Sequence, residues 1–81
     1  MTGAAPGQVR WRCRRGMKEL DVLLARWLDR RWAAASPAAR TAFAELLELP
    51  DPQLAAWLLE GVRPDDAGIA NLVDDILRHR D

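Results

Sequence analysis

The stretch Met17-Lys18-Glu19-Leu20-Asp21-Val22-Leu23-Leu24-Ala25-Arg26-Trp27-Leu28-Asp29-Arg30-Arg31-Trp32 decides the fold. Met17, Leu20, Leu24, Trp27, Leu28 and Arg31 recur at three- and four-residue spacing, and Leu23 widens the stripe. That period predicts an amphipathic helix from Met17 to about Trp32, one face inward and the charged face outward. Working outward, no segment alternates with period two for long enough to suggest a strand.

The other helices announce themselves by their ends. Residues 8–14 suit a short leading helix with Val9 and Cys13 on one face, too short to be stable alone, and Gly16 breaks it. Ser36-Pro37 is a start signal, an N-cap hydroxyl followed by proline at the first helical position. Ala39, Ala42, Phe43, Leu46 and Leu47 line the face that follows, and Pro50 stops it. Asp51-Pro52 repeats the signal ahead of Leu54, Trp57 and Leu58, and Gly61 ends that helix as a left-handed glycine. Pro64-Asp65 opens the last helix, with acids Asp65 and Asp66 in its first turn and Arg78, His79 and Arg80 in its last, matching the helix dipole. Ile69, Leu72, Val73, Ile76 and Leu77 form its apolar stripe. The expectation is an all-α chain: one small domain, a compact bundle of about five helices, a short leading one and four longer ones.

With 81 residues there is room for one domain and no deep closed cavity. Residues 1–7 read as a flexible tail and residues 8–81 as the helical domain. Hydrophobic residues at 49% and charged residues at 30% give a globular composition, not a disordered one. No apolar run approaches the roughly 20 residues a membrane span needs. The start shows no charged region followed by an apolar one, so no secretory signal is expected. The single Cys13 excludes an internal disulfide and a zinc site built on cysteines, and fits a reducing cytoplasm. The net charge of zero conceals an asymmetry. Residues 1–32 hold eight basic against three acidic residues, a net of +5, and residues 33–81 hold four against nine, a net of −5. Such a dipole orients a docking partner more than it creates general affinity.

The segment Trp11-Arg12-Cys13-Arg14-Arg15-Gly16-Met17-Lys18-Glu19-Leu20-Asp21 is the unusual part. A basic cluster abuts a glycine, the glycine precedes the longest helix, and Glu19 and Asp21 fall in that helix's first turns. Helix chemistry accounts for some of this. Gly16 is either the N-cap or a left-handed residue between two helices. As N-cap it would place Glu19 at the third helical position, favourable to the dipole and able to reach back to the N-cap N–H. It does not account for Arg10, Arg12, Arg14 and Arg15 crowding the preceding turns.

Arg15-Gly16-x-x-Glu19, embedded in Cys13-Arg14-Arg15-Gly16-Met17-x-Glu19-Leu20-Asp21, resembles the signature of the succinate dehydrogenase assembly factor 2 family, the "flavinators". Phe43-x-x-Leu46-Leu47-Glu48 followed by Asp51-Pro52-x-Leu54-x-x-Trp57-Leu58 is similar to the family's third and fourth helices, so the likeness spans roughly residues 9–78. The chain departs from the family's bacterial pattern in having fewer aromatics around Arg26-Trp27-Leu28-Asp29, an alanine-rich 33–40, and no tail after the last helix.

The resemblance implies a five-helix assembly factor, not an enzyme, that binds the flavoprotein subunit of succinate dehydrogenase and often that of fumarate reductase. It implies that the factor promotes the bond between a client histidine and the 8α carbon of FAD. FAD is then the client's cofactor, and none is bound stably by this chain. Arg15, Gly16 and Glu19 match the functional triplet and Arg14 and Asp21 its flanks. Trp11 is a candidate client contact on its own account, because it lies in the basic segment and tryptophan is favoured at interfaces, with burial in the core as the other reading. The expected state is a monomer when free, in the cytoplasm, with no nucleic-acid or membrane partner.

Two other readings compete. The arginines make a small helical nucleic-acid-binding domain thinkable, and some bacterial relatives carry an older label as toxin–antitoxin partners, which suggests a regulatory protein. Against the first, the acidic half would repel phosphate. An enzyme finds no support in any nucleophile–base pair, phosphate loop or metal-ligand spacing. Cys13 sits beside arginines that would lower a thiol pKa, but His79, the single histidine, is far away in sequence and suits the last helical turn.

Overall fold

The computed structural model describes residues 7–79. Five helices follow one another: α1 (Gly7–Arg12), α2 (Lys18–Arg31), α3 (Pro37–Leu46), α4 (Asp51–Leu58) and α5 (Ala67–Arg78). There is no strand among the described residues. The expected N-terminal tail lies outside the described residues except for Gly7, which begins α1, and Arg80 also lies outside them.

The helix ends follow local chemistry. The Ser36 hydroxyl accepts from the Ala39 N–H at 3.1 Å, the expected cap of α3, a contact that stabilises a helix by about 1 kcal/mol. Gly61 has φ +81°. It lets the Val62 N–H turn back to the Ala56 carbonyl, six residues earlier, at 2.9 Å, which closes α4. Two starts differ from expectation. Asp51 does not cap α4; Pro50 holds the cap position and Asp51 is the first helical residue. Its carboxylate is engaged by Arg15 instead. The last helix begins at Ala67, because the Asp66 carboxylate accepts from the Ile69 N–H at 2.9 Å and fixes the first turn there. Pro64 is buried ahead of that turn, outside the helix.

The apolar stripes meet in one core. Leu20, Leu24, Trp27, Phe43, Leu46, Leu54 and Ile76 are all less than 2% exposed. Trp27 stacks on Phe43 with ring centroids 4.4 Å apart, and Trp32 meets both edge-on at 6.3 Å. Such pairs add about 1 kcal/mol beyond the area they bury. The Trp27 indole N–H donates to Asp75 at 2.7 Å, so the large ring is buried with its polar atom satisfied. α5 packs on α2, α3 and α4, and α2 packs on α4.

Candidate functional site

The junction between α1 and α2 holds every residue the sequence singled out, and the structure divides them. Gly16 has φ +90°, so of the two roles open to it the left-handed one is realised, while Met17 takes the N-cap of α2. Glu19 is therefore the second helical residue, and Met17 has no side-chain capping partner, so the capping box is absent. A Cβ built on Gly16 would meet nothing within 4 Å. The glycine is needed for its backbone angle, not for lack of room, and its outer face is open.

Arg15 faces inward. Its side chain is 13% exposed. Its Nε–H donates to Asp51 Oδ1 at 2.8 Å, and Nη1 and Nη2 donate to the carbonyls of Leu47 and Leu49. Leu47 is the C-cap of α3. One planar guanidinium thus satisfies carbonyls at the end of α3 and a carboxylate at the start of α4, a fork that lysine cannot reproduce. The Arg15 N–H in turn donates to Asp21 Oδ1 at 2.6 Å. Asp21, half-buried, closes the turn around Gly16 from the first turns of α2.

The neighbouring arginines are mostly accounted for by the same logic. Arg10 pairs with Asp29 at 2.8 Å and Arg12 with Glu48 at 3.6 Å. Together with Arg15 they join the basic first part of the chain to acids of α2, α3's end and α4. The crowding of four arginines is therefore largely a matter of internal pairing. Arg14 is the exception: it is exposed, and its guanidinium lies 5.8 Å from the ring of Trp11. Trp11 is itself 68% exposed, the most exposed large hydrophobic residue described. Glu19 is exposed and no ion pair engages it among the described residues.

The six candidates thus sort into two groups. Trp11, Arg14, Gly16 and Glu19 present an exposed surface, whereas Arg15 and Asp21 hold that surface in place. Asp51, which the sequence suggested only as a helix cap, belongs with the second group. A carboxylate at a helix start reads as a cap, and nothing local announces a partner 36 residues away.

For Cys13 the structure reverses only the direction in which its neighbours could move the thiol pKa. The residue is buried, 3% exposed, and its Sγ–H donates to the Val9 carbonyl at 3.5 Å. Burial pushes the thiol up to about 11, outweighing the pull of Arg10 and Arg15 in the other direction. It is a core residue, not an activated nucleophile. His79 is the C-cap of α5, with Nδ1 2.9 Å from the Asp75 carbonyl.

Residues 7–80 match the family model described as "Flavinator of succinate dehydrogenase". Among curated relatives, the FAD assembly factor of Aliivibrio fischeri is 40% identical over 72 residues, covering 89% of this chain and 84% of the relative. That of Coxiella burnetii is 38% identical, covering 89% and 88%. That of Xylella fastidiosa is 46% identical over 66 residues, covering 82% and 68%. The motif-bearing junction and the helices that carry it lie within the matched region, and the chain belongs to the family of flavinators of succinate dehydrogenase.

Proposed function

We propose that this chain binds the flavoprotein subunit of succinate dehydrogenase and promotes covalent attachment of FAD to it, with Trp11, Arg14, Gly16 and Glu19 as the docking face. The observation that carries the reading is the junction itself. An open left-handed glycine lies between an exposed Trp11–Arg14 pair, at the end of α1 and just beyond it, and an exposed unpaired carboxylate in the first turn of α2, and Arg15 and Asp21 brace the turn that joins them. The names of the matched family and relatives supply the client and the cofactor.

The bond-making chemistry belongs to the flavin and to the client's histidine. The flavin's 8α-methyl must lose a proton and the histidine nitrogen must bond to that carbon, which passes the C–H electron pair into the flavin ring and leaves it reduced. This chain's contribution is to hold the client in the reactive arrangement, a proximity effect and not acid–base catalysis. Gly16 admits the client backbone closely. Glu19 pairs with a client cation and Arg14 with a client carboxylate. Arg15 and Asp21 act through the turn and not by touching the client. The chain so described is a non-enzymatic factor, monomeric when free, that works in the cytoplasm without a stably bound cofactor of its own. The flavoprotein subunit of fumarate reductase is a second client within the proposal. Among the described residues no helix is long and apolar enough to cross a membrane. Pairing of Arg10, Arg12 and Arg15 with acids weighs against a nucleic-acid partner, because those charges are already answered within the chain.

The test is deletion of the gene followed by complementation with wild type, Gly16→Arg and Glu19→Ala. Covalent flavin on the flavoprotein subunit is scored by in-gel fluorescence. Loss of fluorescence on deletion, restored by wild type and by neither folded variant, is expected. Normal fluorescence with both folded variants would make the junction structural only.

A further inference from the structure

The described surface leaves four large hydrophobic side chains exposed: Trp11, Val22, Leu59 and Val62. Two of them belong to one feature. Val22 and Leu59 line a groove of about 420 Å³ between α2 and α4, together with Leu23, Leu58, Lys18 and Glu19. Leu58 is buried, Leu23 is half-buried, and Val22 and Leu59 are 40% and 39% exposed. The groove therefore has an apolar floor and apolar rims, with charge only at the end where α2 begins.

Its position follows from helix geometry. Val22 is three residues beyond Glu19 and four beyond Lys18, and Leu23 is four beyond Glu19. Side chains at those spacings share a face. The face of α2 that presents Glu19 continues without interruption into Val22 and Leu23. The opposite wall comes from the end of α4, and the start of that helix is tied to the α1–α2 junction through Arg15 and Asp51. The groove and the junction are thus one continuous surface on one rigid frame.

We infer that this groove receives an apolar side chain of the flavoprotein client, so that the docking surface runs from Gly16 and Glu19 into the seam between α2 and α4. This rests on the reading of Glu19 as a client contact. The fitting segment carries an apolar residue that enters between Val22 and Leu59 and a cation beside it that meets Glu19. An apolar centre edged by charge is the arrangement that gives an interface affinity from the middle and register from the rim. A second copy of this chain seated in the groove would cover Glu19 and compete with the client.

The experiment measures the dissociation constant of the purified flavoprotein subunit for wild type, Val22→Ser/Leu59→Ser and Glu19→Ala, at low and high salt. Both groove positions are partly exposed, and circular dichroism confirms that the variants fold. The double variant is expected to bind roughly tenfold more weakly or worse at either salt concentration. Glu19→Ala is expected to lower the salt-dependent part of the affinity by the share that Glu19 contributes, leaving that of Arg14. Wild-type affinity for the double variant, with weakened Glu19→Ala, overturns the groove and leaves the junction standing. Wild-type affinity for both overturns the reading of Glu19 and the groove with it. Light scattering that shows wild type self-associating, the double variant monomeric and client affinity unchanged assigns the groove to a second copy and also overturns the inference.

Discussion

Arg15 Nε–H donates to Asp51 Oδ1 at 2.8 Å across 36 residues of chain, while the rest of the same guanidinium holds the carbonyls of Leu47 and Leu49. This single side chain joins the α1–α2 junction to the turn between α3 and α4. Arg15→Ala removes a charged donor from several acceptors at once. We expect it to destabilise the fold by about 2–3 kcal/mol, read as a lower urea midpoint. Arg15→Lys should recover little, because an ammonium cannot span the same fork. Asp51→Asn keeps an acceptor and should cost about 1 kcal/mol. The Arg15–Asp51 double-mutant cycle should show coupling, since the two groups touch. Strict additivity would contradict the brace.

Gly16 separates backbone from docking. Its positive φ penalises any side chain, most of all a β-branched one. Gly16→Val should destabilise by about 1–2 kcal/mol, while Gly16→Asn should cost less because asparagine tolerates that region. Both place a side chain where the client backbone is proposed to approach. Covalent flavin formation should therefore fall for Asn as well, although its thermal midpoint stays nearer to wild type. A fully active Gly16→Asn would mean that only the backbone angle matters.

The Trp27–Asp75 contact sets a pH dependence. Burial opposes ionisation of Asp75, but hydrogen bonds from Trp27 and Arg31 outweigh it, and the charges of Arg31 and His79 add to them, holding the carboxyl below the usual carboxylate range. Asp74 is lowered as well by its hydrogen bond with Arg63. A depressed folded pKa contributes stability that is present above the unfolded value and lost as pH falls through the folded one. The urea midpoint should therefore drop on acidification below about pH 4, the unfolded aspartate value. Asp75→Asn should flatten part of that drop and cost about 1–3 kcal/mol near neutrality. An unchanged acid profile would contradict the contact.

Cys13 gives an alkaline counterpart. With its thiol raised to about 11 by burial, the folded state favours the protonated form. Stability from this source is complete below the unfolded thiol pKa and is lost as pH rises through the folded value. At pH 8 a thiol-alkylating reagent should label the native chain far more slowly than the chain in urea. Equal labelling rates would show the thiol to be open to solvent.

How much of this was legible in the sequence follows from the range over which each feature is encoded. Five helices, the Ser36 cap, the Gly61 ending and the core stripe of Leu20, Leu24 and Trp27 are set by residues within one or two turns of each other, so periodicity and caps reveal them. α4 starts one residue ahead of the position that the Asp51-Pro52 signal indicates, and the Asp51 carboxylate serves Arg15 and not its own helix. The junction was visible as an anomaly, and the family likeness gave it meaning. Its division was hidden, because whether an arginine points inward or outward depends on carbonyls 32 and 34 residues away. The thiol pKa of Cys13 is hidden for a similar reason: neighbouring arginines are evident in sequence, and the depth of burial that outweighs them is not.

The most direct measurement mixes purified flavoprotein subunit lacking covalent flavin with FAD and follows covalent flavin over time, alone, with this chain, and with its Glu19→Ala variant. The account predicts fast attachment with the wild-type chain and attachment near the unassisted rate with the folded variant. Equal rates with and without the wild-type chain, or full activity of Glu19→Ala, would contradict it.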